Sequence, residues 1–206
     1  MNKKPIYVGA DVGSSRTKVA VMDSGKQLLG YAIKKSGKSS LKMAGGKPAD
    51  VVNAVSTGYG RKNVPFANDT KTEIGCHGSG CYLYFPKTIT IIDIGGQDNK
   101  VIKLDEKGRR TSFKMNRKCA AGTGAFLEEM SARLDVPLEE MDGLAARSKN
   151  MVKLGSFCTV FSATEVLENI RNGKKIEDIV KGVFFSVIRR VVEMDSMTEN
   201  VVMTGG

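Results

Sequence analysis

Residues 88–98 read TITIIDIGGQD, and residues 6–15 read IYVGADVGSS. Each is an apolar strand-like run that ends in Asp and then small residues, at Asp93-Ile94-Gly95-Gly96 and Asp11-Val12-Gly13-Ser14. Each restarts in the same way. Residues 17–22 (TKVAVM) read as a second strand, Asp23-Ser24-Gly25-Lys26 as a hairpin turn and 27–33 (QLLGYAI) as a third strand. In the later copy, 99–104 (NKVIKL) is a strand, Asp105-Glu106-Lys107-Gly108 a turn and 109–115 (RRTSFKM) a strand. The order strand, Asp-x-Gly turn, strand, turn, strand thus occurs twice, and this duplication organises the chain.

Between the copies, 35–50 is rich in Gly, Ser and Lys and reads as loop, with a short helical start at Ser39–Ala44 ended by Gly45-Gly46-Lys47-Pro48. Residues 51–55 (VVNAV) form a fourth strand before Thr57-Gly58-Tyr59-Gly60-Arg61, and 70–84 reads as a helix despite its glycines. After Cys119 the pattern turns helical. Phe126, Leu127, Met130 and Leu134 share one face of a helix over 125–134, and Pro137 opens another over 138–147. Helices follow over 163–171 and 175–195, the last with a stripe of Ile179, Val183, Val187, Val191 and Met194. Residues 200–203 form a final strand before Thr204-Gly205-Gly206.

The chain has 206 residues, enough for one large domain or two small ones. No apolar run reaches the length of a membrane span, and the N-terminus enters a strand with no signal segment, so a cytoplasmic protein is expected. The formal net charge is +10, from 32 Lys plus Arg against 22 Asp plus Glu. The basic residues are scattered and not interleaved with aromatics, which favours a solvated basic surface over nucleic-acid binding.

A strand ending in Asp followed by small residues can turn backbone N–H groups toward a phosphate, because Gly lets the main chain come close. Asp11 and Asp93 would hold Mg²⁺, which keeps several waters and takes one or two carboxylates. Ser14, Ser15 and Lys18 add donors and a cation, and two such turns would clamp phosphates from both sides. One such turn alone is more readily a hairpin with an Asx cap; the matched pair reverses that preference and argues for phosphate. No Walker A loop and no strand–GxGxxG–helix fingerprint occurs.

Cys119 and Cys158 each precede a helical segment, where thiolates or an anionic cluster gain from the helix dipole. A [4Fe–4S] cluster needs four thiolates, which a twofold dimer would supply; two buried structural thiols are the alternative. Cys76, His77 and Cys81 fit no recognised zinc spacing, and His77 is the only histidine, so they are read as structural.

The two Asp turns, with Val201-Val202-Met203-Thr204-Gly205-Gly206, resemble the phosphate and adenosine motifs of the actin, sugar kinase and heat-shock chaperone ATPase superfamily. More closely, Thr57–Arg61, Asp93–Asp98, Asn116–Gly124 (NRKCAAGTG) and Cys158–Phe161 (CTVF) resemble the activator component of 2-hydroxyacyl-CoA dehydratases. That family also contains the ATP-binding subunits of benzoyl-CoA reductase. The similarity runs from about residue 6 to residue 206.

The resemblance implies an α/β, duplicated ribonuclease H-like (actin/hexokinase-like ATPase) fold. The first subdomain would span 1–87 and the second 88–206, the second truncated where the family continues with a helix and further strands. It implies Asp11 and Asp93 on Mg²⁺, and Gly13, Ser14, Ser15, Arg16, Thr17, Lys18, Gly95, Gly96 and Gln97 on phosphates. Gln97 or Asp98 would orient the attacking water, and Gly205 and Gly206 would start the adenine-side turn. Cys119 and Cys158 would ligate one [4Fe–4S] cluster shared by a homodimer. ATP binding and hydrolysis would then change the angle of the helices flanking the cluster. The dimer would inject one electron into a dehydratase or related reductase, generating a ketyl radical in the acyl-CoA, and an acidic ferredoxin or flavodoxin would recharge it. The competing expectations are a small-molecule kinase on the same fold without iron, and a truncated member that hydrolyses nothing.

Overall fold

The computed structural model describes residues 5–36, 51–116, 119–155 and 158–205. The expected loop and short helix within 37–50, and Gly206, lie outside them. The chain divides into two compact units, Met1–Tyr84 and Phe85–Gly206.

The first unit is a five-stranded mixed sheet. Strands β1 (Ile6–Val12), β2 (Arg16–Asp23) and β3 (Leu28–Lys35) form the antiparallel meander, and β4 (Val51–Thr57) runs parallel to β1. A two-residue strand, β5 (Asp69–Thr70), pairs with β4, giving the order β3-β2-β1-β4-β5. Helix α1 (Glu73–Tyr84) follows, so the helix read over 70–84 begins after a short strand.

The second unit repeats the design. Strands β6 (Ile89–Ile94), β7 (Asn99–Leu104) and β8 (Arg110–Asn116) form its meander, and β9 (Val201–Gly205) runs parallel to β6 in the order β8-β7-β6-β9. Gly205 therefore lies within a strand and not in a turn beyond it. Between β8 and β9 come α2 (Gly124–Leu134), α3 (Met141–Arg147), α4 (Thr159–Arg171) and α5 (Ile176–Met194). α4 starts four residues before the 163–171 reading. Val160 and Phe161, 70% and 64% exposed, interrupt the apolar periodicity of its first turn.

The duplication is exact in register. Asp11, Gly13, Lys18 and Asp23 recur as Asp93, Gly95, Lys100 and Asp105 with no insertion between them. Even the hairpin chemistry repeats. Asp23 Oδ1 accepts from the N–H groups of Gly25 and Gln27, and Asp105 Oδ1 from those of Lys107 and Arg109. The left-handed residue is Lys26 (φ 64°) in one turn and Gly108 (φ 72°) in the other. The Arg109 N–H bond holds the Asp105 carboxyl below the usual carboxylate range.

The second unit carries the larger core. Phe126, Met130 and Leu134 of α2 and Ile179, Val183 and Val187 of α5 pack together, as their spacing predicts, with Met141 and Val166. Val191, one turn further along α5, packs on Ile92 and Val101 of the sheet. Each such side chain contributes about 1.5–3 kcal/mol. β6 is buried along nearly its whole length, which explains its unbroken apolar run.

Candidate functional site

The two aspartate turns are built alike. In the first, Gly13 N–H donates to Arg16 O (3.1 Å), and in the second Gly95 N–H donates to Asp98 O (2.8 Å). A Cβ on Gly13 would stand 2.8 Å from Arg16 O, and one on Gly95 2.8 Å from Asp98 Oδ1, so both turns need glycine. Ser36 braces the first turn: its hydroxyl donates to Gly13 O (2.7 Å) and its N–H to Ser15 O (2.9 Å). Ser14, Arg16 and Lys18 are exposed on that turn and Ser15 is half-buried. Thr17, expected on the phosphate, faces the interior instead; it is buried and its hydroxyl meets that of Ser36 at 3.1 Å. The side-chain alternation of β2 puts it on the opposite face from Lys18.

Each aspartate is also flanked by the parallel strand of its sheet. Thr57 pairs with Asp11 and Thr204 with Asp93, and each threonine is followed by a glycine of positive φ, Gly58 (84°) and Gly205 (125°). A Cβ on Gly58 would lie 2.4 Å from Asp11 Oδ1, and one on Gly205 2.2 Å from Ile94 O. Thr204 Oγ1 lies 3.4 Å from Asp93 Oδ1. The repeated Thr-Gly opposite the repeated Asp was visible in the sequence but is meaningful only once the parallel strands pair.

Lysines complete both turns. Lys18 Nζ is 3.4 Å from Asp11 Oδ2, and Lys100 Nζ is 3.1 Å from Asp93 Oδ2 and 2.6 Å from Asp98 Oδ1. Lys100 was missed by sequence reasoning. The signal was present, because it stands seven residues after Asp93 as Lys18 does after Asp11. Gln97 is exposed at the apex of the second turn, whereas Asp98 is engaged by Lys100.

Both aspartates offer hard carboxylate oxygens beside a glycine turn, a donor set that suits Mg²⁺. Among the described residues no three His, Cys, Asp or Glu gather into a metal site. These residues would therefore hold Mg²⁺ only together with oxygens of a nucleotide and of water.

The head of α2 is fastened to the second turn. Gly124 N–H donates to Gly95 O (2.9 Å) and Ala125 N–H to Gly96 O (3.0 Å). Gly124 permits this, since its Cβ would stand 3.3 Å from Gly96 Cα. Gly122 (φ 83°) turns the chain into the helix, and its carbonyl accepts from the buried Asn99 amide at 2.7 Å. Cys119 stands just upstream, half-buried, with its carbonyl accepting from Asn116 (3.4 Å). Cys158 is exposed and is the N-cap of α4, its carbonyl accepting from Ser162 N–H (2.8 Å). α2 and α4 pack along a groove lined by Ala125, Glu129, Arg133, Thr159, Ala163 and Leu167.

A [4Fe–4S] cluster takes four thiolates, and this chain presents two, each leading into one of two helices in contact. The next side chain, Thr159, has a buried hydroxyl with no hydrogen-bond partner among the described residues. As a donor set, the two thiols would supply half of the ligands such a cluster needs. Cys76, His77 and Cys81 all lie on α1, where Cys76 lines an apolar hollow with Gly9, Ala20 and Val55 of the sheet.

The chain is 40% identical over 212 residues to the 2-hydroxyisocaproyl-CoA dehydratase activator of Clostridioides difficile, covering 97% of this chain and 80% of that protein. Its structure matches the crystal structure of component A of the (R)-2-hydroxyglutaryl-CoA dehydratase of Acidaminococcus fermentans, with a TM-score of 0.90 at 36% identity over 98% of this chain and 83% of that one. It also matches the Clostridium difficile activator with bound ADPNP, with a TM-score of 0.88 at 39% identity over 98% and 80% of the two chains. The two sheets are thus those of a duplicated actin-like ATPase fold. No helix among the described residues is long and apolar enough to cross a membrane. The family model for the BadF/BadG/BcrA/BcrD ATPases covers residues 8–206, and with its paired aspartate turns and its relatives the chain belongs to that ATPase family.

Proposed function

We propose that this chain is the ATP-hydrolysing iron–sulfur activator that donates one electron to a 2-hydroxyacyl-CoA dehydratase or a related acyl-CoA reductase in the cytoplasm. The observation that carries the reading is the direct bonding of α2 to the second aspartate turn, just downstream of Cys119. A change at Gly95 and Gly96 must move the head of α2 or break two hydrogen bonds. The names of the relatives support the same activity.

In this reading Asp11 and Asp93 hold Mg²⁺. Gly13 and Gly95 close the two turns with their own N–H groups, and the N–H groups of residues 14–16, 96 and 97, the hydroxyls of Ser14 and Ser15 and the cations of Arg16 and Lys18 hold phosphate oxygens. Gln97 orients the attacking water. Gly205 lets the main chain pass close to β6 where the adenine-side turn begins. Cys119 and Cys158, with the same pair from a second copy, hold the cluster, which when bound supplies a one-electron couple. Ferredoxin or flavodoxin recharges it, and the +10 chain would attract such acidic donors.

The test is iron and acid-labile sulfide per dimer after anaerobic reconstitution, with Cys119→Ser and Cys158→Ser alongside. The expected result is about four irons per dimer, lost in both variants, together with ATP turnover. A folded dimer without iron would overturn the electron-transfer role.

A further inference from the structure

The two aspartate turns differ in one respect that their common register makes plain. Lys18 and Lys100 occupy the same position, cross-strand from Asp11 and Asp93. Lys18 is 49% exposed and meets one carboxylate. Lys100 is 3% exposed and lies within 3.1 Å of two, Asp93 and Asp98. The additional acid is specific to the second turn, since Asp98 stands where the first turn has Arg16.

Lys18 can swing to a phosphate oxygen and leave behind a single carboxylate, that of Asp11, with no second acid beside it in the turn. Lys100 has no such freedom. Its departure would leave Asp93, itself 7% exposed, and Asp98 as two neighbouring anions in one turn. Asp98 keeps 29% of its side chain exposed, but Asp93 is buried, and a buried carboxylate that loses its partner beside a second anion is strongly disfavoured. Two carboxylates converging on one point are also what a divalent cation seeks. In the second turn that point is already taken by an ammonium.

We propose that Lys100 is the built-in counter-ion of the second aspartate turn, and that it keeps the turn from taking up a free divalent cation. Asp93, Asp98 and Lys100 together carry one net negative charge. A bare dication would have to compete with the ammonium for Asp93 Oδ2 and would then repel it at close range. A metal–nucleotide complex brings its own phosphate oxygens, which can accept from the ammonium while Asp93 turns to the metal. Lys100 is thus a positioning residue that makes metal loading at this turn conditional on nucleotide. The inference rests on the reading that the turn binds a metal–nucleotide complex.

Mn²⁺ serves as the probe, its free fraction read by electron paramagnetic resonance on the whole chain without nucleotide. Lys100→Met is expected to bind Mn²⁺ about tenfold or more tightly than the unaltered chain. Lys100→Arg should behave as the unaltered chain, and adding Asp93→Asn to Lys100→Met should abolish the gain. A folded Lys100→Met protein with unchanged Mn²⁺ affinity overturns the proposal. If Lys100→Met does not fold, the unaltered chain decides. Mn²⁺ taken up only with ADP supports the proposal, and Mn²⁺ bound without ADP and lost in Asp93→Asn overturns it. A chain that binds no ADP at all refutes the nucleotide reading, and the Lys100→Met comparison still decides the role of the ammonium.

Discussion

Gly182 lies buried in the middle of α5 where the backbone of Val152 crosses it. A Cβ at this position would stand 2.0 Å from the Val152 carbonyl oxygen and 3.1 Å from its carbon. Real Cβ contacts essentially never fall below 3.0 Å, so the carbonyl would have to retreat by more than an ångström. It is not free to do so. Val152 N–H donates to Asp178 O (3.0 Å), one turn earlier on the same helix, and Lys181 Nζ donates to Ser148 O (2.8 Å). Overpacking against a tethered backbone costs about 3 kcal/mol. Alanine returns up to about 1 kcal/mol as the better helix former. Gly182→Ala should therefore destabilise the second unit by about 2 kcal/mol, which at a urea slope near 2 kcal/mol/M lowers the midpoint by about 1 M. The assay can assign the effect to one unit. All five tyrosines (7, 31, 59, 82 and 84) lie in the first unit, and four of the five α-helices among the described residues lie in the second. Tyrosine fluorescence then reports the first unit and far-UV ellipticity mainly the second. Gly80→Ala in α1 is the control, since nothing lies within 4 Å of its Cβ. The same substitution there should stabilise by about 0.5–1 kcal/mol and move the tyrosine transition upward. A Gly182→Ala protein whose ellipticity midpoint is unchanged or raised would refute the close-approach argument.

Three further outcomes are expected. Asp93→Asn should lower ATP turnover about a hundredfold, as loss of one preorganised charge in a site does, and isothermal calorimetry should show weakened Mg²⁺–nucleotide binding. Gly122→Ala forces a side chain into φ 83° and places its Cβ 2.7 Å from Arg190 Cδ. It should cost about 1–2 kcal/mol and, in the reconstituted protein, speed iron loss to a chelator by loosening the Cys119 loop. Asp195 accepts from Lys103 (2.9 Å), Ser112 (3.1 Å) and Ser196 N–H (2.9 Å), tying the end of α5 to β7 and β8. Chiefly through the Lys103 bond its carboxyl lies below the ordinary value of 3.8. Its contribution is therefore complete above about pH 4 and fades as pH falls through the lower native value. The gap in thermal midpoint between the unaltered chain and Asp195→Asn should be full at pH 7 and narrow toward pH 3.

The duplicated meander was legible because its signals are local. Period-two alternation, Asp-Gly turns and hairpin spacing all act within a few residues, and the stripe of α5 is a property of one helix. Lys100 was not legible as a buried ion, because a lysine in NKVIKL reads as the solvent side of a strand until β6 and β8 enclose it. Thr17 reads as a phosphate donor beside Ser14 and Ser15 until the pleat turns it inward against Ser36. Gly205 reads as a turn residue because positive φ belongs to turns. In the structure it closes a strand instead, and its missing side chain admits the β6 backbone. The first turn of α4 hid behind Val160 and Phe161, whose exposure no sequence period announces.

The parallel pairing of β6 with β9 also bears on how the chain is made. Thr90 pairs with Val201, and the hydrogen bonds across that seam join residues more than a hundred positions apart. The first unit closes its own parallel seam between Ile6 and Val51 far sooner. At about 5–20 residues per second, β9 leaves the ribosome roughly 5–20 s after β6. Throughout that interval β6, with isoleucine at 89, 91, 92 and 94, keeps one edge unpaired. An open edge of that composition is a template for pairing with another nascent chain. Yield in a foreign host should therefore depend on how quickly residues 95–200 are translated, and on whether a chaperone holds the β6 edge until β9 arrives.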